Sequence, residues 1–204
     1  MRPARHWQMV GAILLMPLGG CIDRTQARLQ ATWECQALIA VTRADLADGQ
    51  RWGIPTRVYL IDDQEADVVA GAIDPRSAEG WRADDDGQGP VPAAALLRRL
   101  VTQSSSGYRP CTGWFDLLRQ HHAAYGRAAA YALVAKARRS ALDKGFGGTI
   151  VTFSRPVIDA FGQQAIIAKS GVSSPLGGGG FLMALTRRPD GTWVPVARYG
   201  LWIS

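Results

Sequence analysis

Phe181-Leu182-Met183-Ala184-Leu185-Thr186 and the run from Thr192 to Ile203 flank Arg188-Pro189-Asp190-Gly191, and this stretch decides the fold. Proline presets φ for the first central position of a turn, and glycine takes the positive φ that closes a tight hairpin. The same punctuation recurs upstream, where Asp159-Ala160-Phe161-Gly162 separates Thr149–Val157 from Gln164–Ser170. The last third of the chain, Thr149 to Ser204, therefore reads as a four-strand antiparallel meander. Pro156 and Pro195 cannot donate to a ladder, so each belongs at an edge, a bulge or a strand end. The remaining connection, Gly171 to Gly180, carries Gly177, Gly178, Gly179 and Gly180 in a row. Backbone amides in such a run can approach a phosphate or carboxylate, which makes it a candidate ligand loop. A phosphate loop needs a helix start after its glycines, whereas a strand pattern follows at Phe181. A flexible or close-packed inter-strand connection is the better expectation.

Upstream of the sheet the pattern is mostly helical. Leu29, Trp33, Ala37 and Ala40 fall at helical intervals in a segment from Arg24 to about Leu46, with Gly49 as its stop. Arg57–Ile61 and Val68–Ile73 read as short strands around Asp62-Asp63-Gln64-Glu65, and residues 74–90 as a loop. A second helix is expected from Pro92, a residue suited to the first helical position, to about Gln103, where Ser104-Ser105-Ser106-Gly107 breaks it. The third and longest is expected from about Gly113 to Lys144, with Thr112 available as N-cap and Gly145 at its end. Along it Trp114, Leu118, His121, Tyr125, Ala128 and Ala132 form one stripe, and Gly126 marks a kink. The expectation is one α+β domain with helices packed on one face of the C-terminal antiparallel sheet. This order of elements is similar to that of NTF2-like domains.

The tryptophans at 33, 52, 81, 114, 193 and 202 read mostly as core. Residues 45–90 hold eleven acidic side chains against four arginines, whereas residues 91–204 hold fourteen basic against four acidic. Such segregation fits two solvated surfaces that partly complement each other, or a basic face for an anionic partner.

Few residues form a recognisable catalytic or metal-binding pattern. Asp84-Asp85-Asp86-Gly87 has oxygen ligands before a glycine, but a calcium loop also needs a distal glutamate, and Pro, Val and Ala follow. No cofactor or metal is expected. His121 and His122 point about 100° apart on a helix and cannot readily hold one ion together; one is expected to pack and the other to face solvent. A nucleophile–base pair between either His and Ser154, Ser170 or Ser173 is conceivable, yet no Gly-x-Ser-x-Gly elbow and no Ser-x-x-Lys occurs.

The amino-terminal residues carry an address. Arg2 and Arg5 precede an apolar run from Met9 to Leu18, far shorter than the roughly 20 residues needed to span a bilayer. Leu18-Gly19-Gly20-Cys21 follows: a branched apolar residue, two small residues, then cysteine. This resembles the lipobox of bacterial lipoproteins. The resemblance implies that residues 1–20 are a cleaved signal peptide, that Cys21 takes a diacylglycerol, and that its new amino group is acylated, typically with palmitate. Three acyl chains, at about 0.8 kcal/mol per buried methylene, would make the anchor effectively permanent. Ile22 rather than aspartate after the cysteine implies, by the same resemblance, outer-membrane sorting with the domain facing the periplasm.

Residues 21–204 then form a single soluble domain of 184 residues, enough for a well-packed core. With Cys21 lipidated, Cys35 and Cys111 remain, and in an oxidising compartment they are expected to form a disulfide worth roughly 4 kcal/mol. Their spacing fits no zinc motif. Ser154-Arg155-Pro156-Val157, Ala165-Ile166-Ile167, the glycine run, Asp190-Gly191-Thr192-Trp193 and the terminal Leu201-Trp202-Ile203-Ser204 resemble the tail of a loosely defined group of exported bacterial proteins of unknown function. That resemblance covers about a quarter of the chain and transfers no catalytic residue. The functional expectation is a non-catalytic binding or interaction module, an inhibitor or immunity protein among the options, with a protein partner in the envelope and no nucleic acid. The alternative is an envelope hydrolase using His121 or His122 with a Ser or Asp.

Overall fold

The computed structural model describes residues 19–53, 56–62, 81–83, 89–103, 105, 107–139, 147–174 and 177–203. In chain order these form α1 (Gly19–Arg51), β1 (Arg57–Ile61), β2 (Trp81–Arg82), α2 (Ala94–Thr102), α3 (Thr112–Gln120), β3 (Ala124–Tyr125), α4 (Arg127–Arg139), β4 (Thr149–Phe153), β5 (Val157–Ile158), β6 (Gln164–Ser174), β7 (Gly177–Arg187) and β8 (Trp193–Ile203). The expected signal peptide lies almost wholly outside the described residues, as do the expected Val68–Ile73 strand, the expected acidic loop around Asp84 and the expected helix stop at Gly145.

The domain is α+β, with one mixed but mostly antiparallel sheet in the order β2-β8-β7-β6-β4-β1-β3, and β5 paired to β6. The C-terminal strands pair antiparallel in succession. The sheet is wider than they are, because β1 lies parallel to β4, and β3 lies parallel to β1 at the edge. At the opposite edge Trp81–Arg82, expected in a loop, pairs with Tyr199 and Arg198 of β8. Two residues are too few for a periodic signal, and their pairing partner lies far along the chain.

The turns follow their chemistry. Gly191 has φ +86° and Gly162 has φ +66°. In the β7–β8 turn the Asp190 carboxylate accepts from both the backbone N–H and the hydroxyl of Thr192, which holds its pKa below the ordinary carboxylate value. Asp159 Oδ1 accepts from the N–H groups of Gln163 and Gln164 in the β5–β6 turn. Pro156 lies in the connection between β4 and β5. Pro195 sits where the β7–β8 register shifts, since Leu185 pairs with Pro195 and Ala184 with Ala197.

Helices cover both faces of the sheet, which corrects the one-face expectation. Ala165 and Ile167 of β6 join the core of α1 and α3, with Leu38, Val41 and Trp114. Their neighbours Ile166 and Ala168 join the core of α2, with Leu96, Leu97 and Leu100. α4 packs Ala130 and Leu133 against Val58. Four consecutive buried residues, Ala165 to Ala168, are what a strand covered on both sides requires.

Two helix expectations are also corrected. α1 does not stop at Gly49 but runs to Arg51. A Cβ at position 49 would overlap the Arg57 guanidinium, so this glycine is there for a close approach rather than for a cap. The long third helix is two helices. α3 ends at Gln120, His122 takes φ +53°, and the Ala123 N–H bonds back to the Leu118 carbonyl. Ala124-Tyr125 then pairs with Val58-Tyr59, and Gly126, at φ +97°, starts α4. Pairing with the edge of β1 competes with continued helix here, so the stripe is interrupted and both His121 and His122 are exposed.

The Cys35–Cys111 disulfide is present and joins α1 to the start of α3, with Cα atoms 5.7 Å apart. Beside it Trp114 Nε1 donates to Thr42 Oγ1 at 2.8 Å. Among the described residues, no helix is long and apolar enough to cross a membrane.

Candidate functional site: a cavity between the first helix and the sheet

The last turns of α1 stand over the sheet and leave an open cavity of about 810 Å³. Its floor is open because Gly171 of β6 and Gly179 of β7 are cross-strand partners, so neither strand projects a side chain there. Val151, Phe181, Met183 and Pro195 supply apolar wall. The bulge after Pro195 matters to the site. It brings Arg198 opposite Met183, so that Arg198 faces the cavity with it.

The inner end is charged. Asp45, with its side chain 2% exposed, sits on the sheet-facing side of α1. Its Oδ2 accepts from Arg57 Nη1 at 2.8 Å and from the Tyr59 hydroxyl at 2.8 Å, and its Oδ1 pairs with Lys169 Nζ. Burial and the Asp45 carboxylate push the Tyr59 phenol well above its ordinary range, so it serves only as a donor. Arg57 is pressed against the bare backbone of Gly49, and its buried Nε has no hydrogen-bond partner among the described residues. At the mouth lie Asp48, Arg51 and Trp52, the last 74% exposed. Among the described lining residues, Arg51, Arg57, Lys169 and Arg198 are basic and Asp45 and Asp48 acidic.

A second buried pair lies elsewhere. Glu34 on α1 receives two hydrogen bonds from the Arg155 guanidinium, at 2.9 and 3.1 Å, and Arg155 also lies over the Tyr108 ring. The Arg155 N–H bonds Ser105 Oγ, so this cluster clamps α1 and the α2–α3 connection onto the β4–β5 corner.

The glycine run is not a loop but the first four residues of β7. A Cβ at Gly180 would overlap the Trp202 indole, and one at Gly178 would come within 3.2 Å of it. Of the four, only Gly179 lines the cavity. The histidines and serines do not gather. Ser154 is buried, its Oγ accepting from the Ala168 N–H at 3.0 Å and donating to the Arg155 carbonyl, while both histidines are exposed outside the cavity. No group of three or more metal-ligating side chains occurs among the described residues.

Sequence reasoning missed Asp45, Arg57 and Lys169. Their signal was a charge at an inward position: Lys169 follows the apolar run Ala165 to Ala168 on the face of buried Ala165 and Ile167, and Arg57 shares a face with buried Tyr59. Comparison with protein-family models, with curated proteins and with solved structures finds no match for this chain.

Proposed function

We propose that this chain is a lipid-anchored bacterial envelope protein, held through Cys21 in the outer membrane and facing the periplasm, whose domain is a non-catalytic binding module. The observation that carries the reading is the cavity between α1 and the sheet. Its volume of about 810 Å³ is within the range of small-molecule sites, and it combines apolar wall with a few convergent polar groups. Those polar groups are engaged with one another, Asp45 accepting from three donors, which suits holding a ligand rather than transforming it. An envelope hydrolase built on His121 or His122 has less support, since neither lines the cavity. The likeness to NTF2-like domains belongs to the same proposal and rests on helices preceding the C-terminal strands.

The test is native mass spectrometry of the protein released from the membranes of cells that make it, compared with Gly171→Val. A Cβ at Gly171 meets nothing closer than 3.5 Å, so the strand has room for a side chain there, and valine would project into the open floor of the cavity. Non-protein mass carried by the natural chain and lost from Gly171→Val is the expected result. No bound mass on the natural chain, or equal mass on both, would overturn the binding reading. In the same preparations Cys21→Ser should move the protein from the membrane pellet to the soluble fraction; retention in the pellet would refute the anchor.

A further inference from the structure

Among the described residues, the charge at the inner end of the cavity is unbalanced. One carboxylate, Asp45, faces two cations, Arg57 and Lys169, and the three side chains are 2%, 9% and 19% exposed. A net positive charge in partly dry surroundings is costly unless a counter-charge approaches it. The β8 bulge sets Arg198 against the same space. Opposite these groups, Val151, Phe181 and Met183 offer apolar surface, and the thioether of Met183 can adapt to irregular shapes.

We propose that the cavity takes an organic anion, a carboxylate or phosphate head on an apolar body, with the head against Arg57, Lys169 and Arg198 and the body against Phe181 and Met183. This rests on the cavity being the binding site. The head supplies the counter-charge; the body covers the apolar wall. A cationic ligand would meet the excess positive charge and be rejected.

The experiment is calorimetric titration of the full chain carrying Cys21→Ser with octanoate, octyl phosphate, octanol, octylammonium and inorganic phosphate. Octanoate or octyl phosphate should bind at least tenfold tighter than octanol, and octylammonium more weakly than octanol. Inorganic phosphate should bind at least tenfold more weakly than octyl phosphate. Lys169→Gln should narrow the ratio of octanoate to octanol affinity several-fold. Arg198→Gln, at an exposed position, should do the same. Octanol binding as tightly as the anions, or a preference that survives both substitutions, would overturn the anion assignment. In that case octanol binding that is lost in Gly171→Val would leave the cavity reading standing. Inorganic phosphate binding as tightly as octyl phosphate would overturn the apolar body. No binding by any octyl probe would remove the cavity reading as well.

Discussion

Replacing Asp45 by asparagine preserves shape and removes one charge, which isolates what the carboxylate does. Asp45 satisfies Arg57, Lys169 and the Tyr59 hydroxyl from a position where its side chain is 2% exposed. Hydrogen bonds to a charged group contribute about 1.5–3 kcal/mol against 0.5–1.5 for neutral ones, so weakening the Arg57 and Lys169 bonds costs roughly 1 kcal/mol each. Arg57 is then left buried and uncompensated, and breaking one side of a buried pair typically costs about 3–5 kcal/mol in total. Lys169, at 19% exposure, can turn toward cavity water and recover part of this. The expected loss is therefore about 3 kcal/mol, a large share of the roughly 5–15 kcal/mol of an ordinary domain. In urea, with a slope of about 2 kcal/mol per molar, the midpoint should fall by about 1.5 M. Asp45→Asn combined with Lys169→Met should lose about 1 kcal/mol less than the sum of the single changes, because one orphaned cation is gone. A midpoint shift below about 0.3 M for Asp45→Asn, or strict additivity in the double variant, would refute the claim that this carboxylate organises the inner end of the cavity.

Three other outcomes follow from particular contacts. Cys35→Ser with Cys111→Ser should cost about 4 kcal/mol in urea unfolding, since the disulfide closes a sequence separation of 76 residues; reduction with no shift in midpoint would contradict it. Gly49→Ala should destabilise by about 1–2 kcal/mol, measured as a lowered Tm. This is opposite in sign to the gain of about 1 kcal/mol that alanine ordinarily brings within a helix, because its Cβ would overlap the Arg57 guanidinium. Tyr59 and Tyr108 have folded-state pKa values raised by burial above the ordinary 10.0, so the stability they lend is complete below about pH 10 and is lost as pH rises beyond it. Absorbance at 295 nm should accordingly show these two phenols ionising together with unfolding; early ionisation of all five tyrosines in a folded chain would contradict this.

Short-range chemistry was legible in the sequence. Gly191 and Gly162 close the turns their neighbours announce, Pro195 lies at a bulge, and Cys35 and Cys111, the two cysteines left once Cys21 is set aside, form a disulfide. Each of these depends on a few adjacent residues or on a count. What the sequence left open were features decided by partners distant along the chain. Ala124-Tyr125 has helical neighbours on both sides and becomes a strand because the edge of β1 is beside it. Trp81–Arg82 is a strand only because β8 is there to pair with it. The glycine run reads as a loop until Trp202 is laid across Gly178 and Gly180, and the open floor appears only when Gly171 and Gly179 are brought into register.

The candidate site shows the same division most clearly. Lys169 after the apolar run Ala165 to Ala168 and the arginine at position 57 were visible as anomalies, since buried charges need partners. That their partner is Asp45, that Gly49 makes room for the guanidinium, and that one donor is left over are consequences of packing α1 across β1 and β6. Local sequence determined the turns, because those are energies of neighbouring groups, and it carries the lipobox-like motif on which the proposed anchor rests; the count of cysteines pointed to the covalent link. The two-faced sheet, the cavity and its excess of positive charge were decided only by the tertiary structure, because burial and Coulomb energies belong to groups that meet after the chain has folded.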